Sequence, residues 1–231
     1  MSIITHHIRP LRLAIGCVLC QYDAWLIAVI FLMEIRTATF VKGVIGSEGL
    51  PKPSLPTVAF FGRSNVGKSS VINSLTRQKD LAHANKRAGR TTEINYFLVN
   101  GDWYLADLPG YGYAHVPGAL RKKMAGYISW FAADMRIDVR AAVLIVDAEI
   151  GAKDSDRETF KLLTEYGRKV VILANKCDKG RRADIEANLR LFEKEFAPAR
   201  VIRHSAKTGE GRAELIDAIF SSSELDRPLI Y

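Results

Sequence analysis

Eight consecutive residues, Gly62-Arg63-Ser64-Asn65-Val66-Gly67-Lys68-Ser69, have the types and spacing to hold a polyphosphate. They spell G-x-x-x-x-G-K-S after the apolar run TVAFF and before the helix-compatible SSVINSL. The glycines let backbone N–H groups turn inward around phosphate oxygens, and the start of the following helix attracts the same anion. Lys68 can set its ammonium against the β and γ oxygens, and the Ser69 hydroxyl can ligate Mg²⁺. A strand before the loop and a helix after it separate this pattern from an ordinary glycine-rich turn.

Other residues have the chemistry to choose a base. Asn175-Lys176-Cys177-Asp178 follows the apolar run KVVILA and so stands at a strand end. From there the Asp178 carboxylate can accept hydrogen bonds from the ring N–H and exocyclic amine of guanine. Adenine lacks that amine and would leave the acid unpaired. Lys176 is expected to lie along the base and brace the phosphate loop. Further on, Ser205-Ala206-Lys207 offers backbone groups to the guanine carbonyl. Between the phosphate loop and NKCD, Asp107-Leu108-Pro109-Gly110 closes a strand-like run. Asp107 is placed to hold magnesium through water, and the Gly110 amide to meet a γ-phosphate. Gly89-Arg90-Thr91-Thr92-Glu93 lies in a polar, irregular stretch. Either threonine can cap a turn there, or supply the hydroxyl that a loop ordering around Mg²⁺ requires.

These motifs need a scaffold, and apolar periodicity supplies one. Strands are predicted at 57–62, 94–99, 102–107, 141–147, 169–175 and 200–205, and helices at 67–76, 117–134, 154–167, 182–196 and 210–221. Alternation of this kind predicts a mostly parallel sheet covered by helices on both faces. Asn100-Gly101 between two strand-like runs predicts a tight hairpin, hence an antiparallel edge.

The chain has 231 residues with 48% hydrophobic and 25% charged residues, enough apolar material to exclude an intrinsically disordered protein. Three cysteines exclude a disulfide framework and fit a reducing compartment. A net charge of +8 favours a nucleic-acid or otherwise anionic partner. Residues 1–33 differ from the rest: Leu11 to Met33 is mostly apolar but is interrupted by Gln21 and Asp23. An acidic residue at that depth costs about 2.5 to 3.5 kcal/mol on insertion scales. An extension upstream of a natural start at Met33 is therefore expected in preference to a membrane anchor. Cys17 and Cys20 have no second Cys or His pair nearby to make a metal site. Residues 34–56 form a Gly/Pro-punctuated lead-in, 57–222 the main domain and 223–231 a tail.

Together, AFFGRSNVGKSSVINSL, GRTTEINYF and DLPGYGYAHVP resemble the EngB family of bacterial GTP-binding proteins over nearly everything beyond the N-terminal extension. That resemblance implies a P-loop NTPase fold of the Ras-like GTPase kind: an α/β/α three-layer sandwich on a mostly parallel six-stranded sheet with an antiparallel edge strand. It also implies a cytoplasmic, ribosome-associated protein that binds GTP and GDP and assists assembly of the large ribosomal subunit, in a family linked to cell division and septation. A monomer is the default expectation, and no stable membrane association is expected. Matching the family's PGRT onto AGRT assigns the magnesium-binding threonine to Thr91. Ala88 replaces the usual proline, and NKCD and SAK lean toward Era-like relatives.

The implied reaction is in-line attack of water on the γ-phosphoryl group, with Lys68, Thr91, Gly110 and Asn65 as the candidate catalytic set. Tyr111 stands where Ras-like proteins carry a water-orienting glutamine, so slow turnover is expected; a switch of negligible turnover whose bound nucleotide gates a protein partner is the alternative. Asn65 holds the position at which potassium-activated relatives bring an asparagine to K⁺; simple closure of the loop by hydrogen bonding is the alternative. Lys79, Lys86, Arg87 and Arg90, with Arg121, Lys122 and Lys123, can meet an RNA backbone or form a solvated face. Tyr111, Tyr113 and His115 can either touch a partner or pack beneath the loop, whereas Trp103, Trp130 and Phe131 are expected in the core.

Overall fold

The computed structural model describes residues 34–46, 49–82, 93–112 and 118–224. The chain divides into two units, 1–34 and 35–231, and the second carries every element below. In chain order these are β1 (Ala38–Val44), β2 (Thr57–Gly62), α1 (Lys68–Thr76), β3 (Ile94–Val99), β4 (Trp103–Asp107), α2 (Gly118–Ala133), β5 (Val139–Asp147), α3 (Asp154–Glu165), β6 (Val170–Asn175), α4 (Arg182–Glu195), β7 (Arg200–Arg203) and α5 (Arg212–Glu224). The strands form one sheet in the order β1-β3-β4-β2-β5-β6-β7.

Parallel pairing runs from β4 through β2, β5 and β6 to β7. These strands have helices on both faces, and the three central ones, β2, β5 and β6, read as near-continuous apolar runs. The β3–β4 hairpin is antiparallel, as the sequence predicts. It turns through Asn100 at φ 52° and Gly101 at φ 83°, closed by the Asp102 N–H donating to Val99 O at 3.1 Å.

The sheet has seven strands, not the predicted six. The addition is β1, which pairs antiparallel with β3 at the edge. Only its end residues Ala38 and Val44 are buried, so the alternation that marks a strand in sequence is missing.

Two helical layers enclose the sheet. On one face Phe61, Phe131, Leu163, Phe192 and Phe196 join β2 to α2, α3 and α4 in the main core, with the rings of Phe61 and Phe131 edge to face at 6.1 Å. On the other face α5 packs beside α1. Its Arg212 guanidinium donates to the carbonyls of Ser74 and Leu75 at the C-terminal end of α1, where the helix runs out of N–H donors.

Register decides what meets at the C-terminal edge of the sheet. Gly62 pairs with Ile145, Phe60 with Asp107, and Asp147 with Asn175. The ends of β2, β4, β5 and β6 thus bring residues from four separate stretches of chain to one rim. Among the described residues no helix is long and apolar enough to cross a membrane. The apolar run 11–33 lies outside the described residues.

Candidate functional site

The loop from Gly62 to Gly67 leaves β2 and enters α1 at Lys68. Gly67 caps the helix at φ 95°, and a Cβ there would come 2.5 Å from Asn175 Nδ2. The left-handed turn and the close approach both exclude a side chain. Asn65 also adopts positive φ, 66°. Its side chain is exposed. Lys68 and Asp107 are both buried, with Nζ 3.1 Å from Asp107 Oδ1. That contact is an ion pair without hydrogen-bond geometry, since neither Asp107 oxygen has a hydrogen-bond partner. A buried carboxylate left in this state can accept from a ligand or an ion's water shell.

Asn175 joins the phosphate loop to the base loops. Its Nδ2 donates to Val66 O at 2.8 Å. Its Oδ1 accepts from Ala206 N at 3.2 Å and lies 2.9 Å from His204 Nδ1. The acceptor side of the amide faces two donors, which fixes its orientation and aims the NH₂ at the loop. His204 is buried, and burial pushes its pKa down to about 4. The ring is therefore neutral near pH 7, with the Nδ1 proton directed at Asn175.

The bracing expected of Lys176 is made instead by Asn175. Lys176 turns through φ 71° and pairs with Asp147, Nζ to Oδ2 at 2.6 Å. Asp178 is exposed at the mouth of the site and accepts from Ser205 Oγ at 2.6 Å. This bond lowers the Asp178 pKa and keeps it ionised, an acceptor suited to two N–H groups.

Asp107-Leu108-Pro109-Gly110 passes directly over the phosphate loop. Leu108 N donates to Phe60 O at 3.2 Å, and Ser64 N to Tyr111 O at 2.9 Å. Gly110 packs so closely on Ser64 that a Cβ would come 2.8 Å from Oγ and 3.1 Å from the backbone nitrogen. The Ser64 hydroxyl is buried there without a hydrogen-bond partner. Tyr111 Oη donates to Asp156 Oδ1 at 3.0 Å, so the residue is packed beneath the loop and not offered to a partner.

Of the residues predicted to bind nucleotide, the structure brings Gly62 to Ser69, Asp107, Gly110, Asn175, Lys176, Asp178, Ser205 and Ala206 to this rim. Lys207 follows them, exposed. Three of the predicted positions direct side chains into the core: Val66, Leu108 and Cys177 are buried apolar positions. The Cys177 thiol bonds Ala174 O at 3.2 Å and is pushed up in pKa by burial. Glu93 stands at the exposed start of β3, beside Gly43 of β1. Gly89, Arg90, Thr91 and Thr92 lie outside the described residues, as do Lys86, Arg87, Tyr113 and His115. Sequence reasoning passed over Asp147, Asp156 and His204. They belong to no motif, and beyond local N–H bonds to Asp147 and Asp156 their side-chain partners are remote in sequence.

A glycine-bracketed lysine loop with NKCD and DLPG beside it on the C-terminal rim of a mostly parallel sheet is the arrangement of a P-loop GTPase. Residues 57–176 match the family described as 50S ribosome-binding GTPase, and 132–224 match the elongation factor Tu GTP-binding domain. A probable GTP-binding protein EngB from Syntrophus aciditrophicus is 40% identical over 188 residues, covering 81% of this chain and 95% of that protein. Its counterpart from Clostridium perfringens strain SM101 is 35% identical over 191 residues, covering 81% and 96%. A crystal structure of a probable EngB superposes with a TM-score of 0.62 at 27% identity, over 71% of this chain and 97% of that one. The chain belongs to the EngB family of GTP-binding proteins, and it is a GTP-hydrolysing enzyme.

Proposed function

We propose that this protein is a slow, magnesium-dependent GTP hydrolase that acts as an assembly factor for the large ribosomal subunit. The observation that carries the nucleotide reading is the Asn175 amide. One side chain bonds Val66 of the phosphate loop and Ala206 of the base loop, so tail and ring are held in one frame. Lys68 and the loop N–H groups bind and neutralise the phosphates, Asp178 with the Ser205-Ala206-Lys207 backbone selects guanine, and Gly110 presents its amide to the γ-phosphate. Magnesium fits the donor set, because the buried Asp107 carboxylate, which no hydrogen bond engages, and the Ser69 hydroxyl lie beside the phosphate loop. Ser69 and Thr91 would hold the ion directly and Asp107 through water, and when bound it supplies positive charge to the phosphate oxygens. Slow turnover follows from Tyr111, whose hydroxyl is committed to Asp156 and orients no water. Asn65, exposed on the loop, is the proposed K⁺ contact; equal rates in potassium and sodium buffers would remove it.

The ribosomal part of the reading is supported by the matched family's description and by the +8 charge. Lys79, Lys122, Arg181 and Arg182 are exposed basic residues able to meet a phosphate backbone. Sedimentation of the protein with ribosomal particles, in a GTP analogue, in GDP and without nucleotide, tests this. Co-sedimentation should depend on nucleotide and fall steeply with salt. Association indifferent to both refutes it.

A further inference from the structure

Three nucleotide-facing segments converge on the connection between β5 and α3, which carries no motif of its own. Asp147, at the end of β5, takes Lys176. Gly151 O accepts from an Arg63 guanidinium nitrogen at 3.5 Å. Asp156, fully buried in the first turn of α3, is the centre of the arrangement. Its Oδ2 accepts from Arg63 Nε at 3.0 Å and from the Lys153 N–H at 3.0 Å, and its Oδ1 accepts from Tyr111 Oη at 3.0 Å. Arg63 is the second residue of the phosphate loop, and Tyr111 follows Gly110.

Tyr111 is consequently held twice. Its backbone carbonyl is fixed to the phosphate loop through Ser64 N at 2.9 Å, and its side chain to α3 through Asp156. Burial, reinforced by the Asp156 charge, raises the phenol pKa well above its ordinary value, so the hydroxyl remains a donor. Gly110, one residue upstream, is thereby set against Ser64 before any ligand arrives.

We infer that Asp156 is a positioning residue that, through Tyr111 and Arg63, presets the Gly110 amide for a γ-phosphate and so sets the preference for guanosine triphosphate over diphosphate. This rests on the nucleotide reading above and deepens it. A diphosphate does not reach Gly110, so the order imposed on Tyr111 is useful only to the triphosphate. When that order is released, the cost of restoring it falls on triphosphate binding alone.

The test is titration with fluorescent GDP and with a fluorescent non-hydrolysable GTP analogue. The variant Tyr111→Phe removes one hydroxyl and leaves the Asp156 bonds to Arg63 and Lys153 in place. Losing one net hydrogen bond corresponds to about a fivefold loss of analogue affinity, with GDP affinity held within about twofold. Asp156→Asn should move the same ratio in the same direction. A role confined to capping α3 would lower the melting temperature and leave the ratio unmoved, and that result overturns the inference. Wild-type protein binding neither nucleotide would overturn the parent reading as well. A wild type that binds both, with variants weakened equally for both, overturns only the inference.

Discussion

Replacing Asn175 by Ala gives the most direct test of how the site is held. The substitution removes the bond to Val66 O at 2.8 Å, the contact with His204 Nδ1 at 2.9 Å and the bond from Ala206 N at 3.2 Å, all from a buried position. Three net hydrogen bonds at about 1 kcal/mol each, with His204 left a buried unpaired donor, amount to about 3 to 5 kcal/mol. For a domain of this size that lowers the melting temperature by about 10 °C. The affinity effect is separate, because the loop then enters complexes without its Val66 anchor and GDP should bind about 100-fold more weakly. Linkage makes the difference readable in melting curves. A GDP concentration about 100 times the wild-type Kd stabilises wild-type protein by about 2.7 kcal/mol, but a variant with a 100-fold larger Kd by only about 0.4 kcal/mol. Melting curves of both proteins with and without GDP, with calorimetric titration below the melting range, give both numbers. If Asn175→Ala melts early yet keeps the full GDP-induced rise, the amide supports the fold without positioning the loop, and the reasoning fails.

Two further expectations concern single groups. Asp178→Asn exchanges an acceptor oxygen for an NH₂, so GDP should weaken at least about 100-fold, while the xanthine nucleotide, which has a carbonyl where guanine has its amine, gains; unchanged GDP binding by calorimetry would refute the assignment. His204 has a folded pKa of about 4, below the ordinary 6.5. Between those values the unfolded chain binds a proton that the folded one refuses, so this contribution is complete above about pH 6.5 and falls as the pH drops toward 4, by at most about 1.4 kcal/mol per pH unit. Urea melts across that window should show a shallower slope for His204→Gln, and parallel slopes would count against it.

How much of this was legible beforehand follows from the range of each interaction. GRSNVGKS, DLPG and NKCD are contiguous, and the backbone geometry they need is local, so residue type and spacing reveal them. The buried strands β2, β5 and β6 and the amphipathic helices show their periods for the same reason. The edge strand β1 escaped because only Ala38 and Val44 are buried and its stability comes from β3, a distant partner.

From residue types alone one learns that this chain carries a phosphate-loop motif, an NKCD motif whose acid suits guanine, and an α/β scaffold. Tertiary structure decided which side chains hold those parts in place. Asn175 reaches Val66 across 109 positions, Arg63 reaches Asp156 across 93, and Tyr111 reaches the same carboxylate across 45. No local pattern encodes such pairs. They exist because strand register sets the ends of β2, β4, β5 and β6 side by side, where a buried polar group must find its partner among whatever the fold delivers.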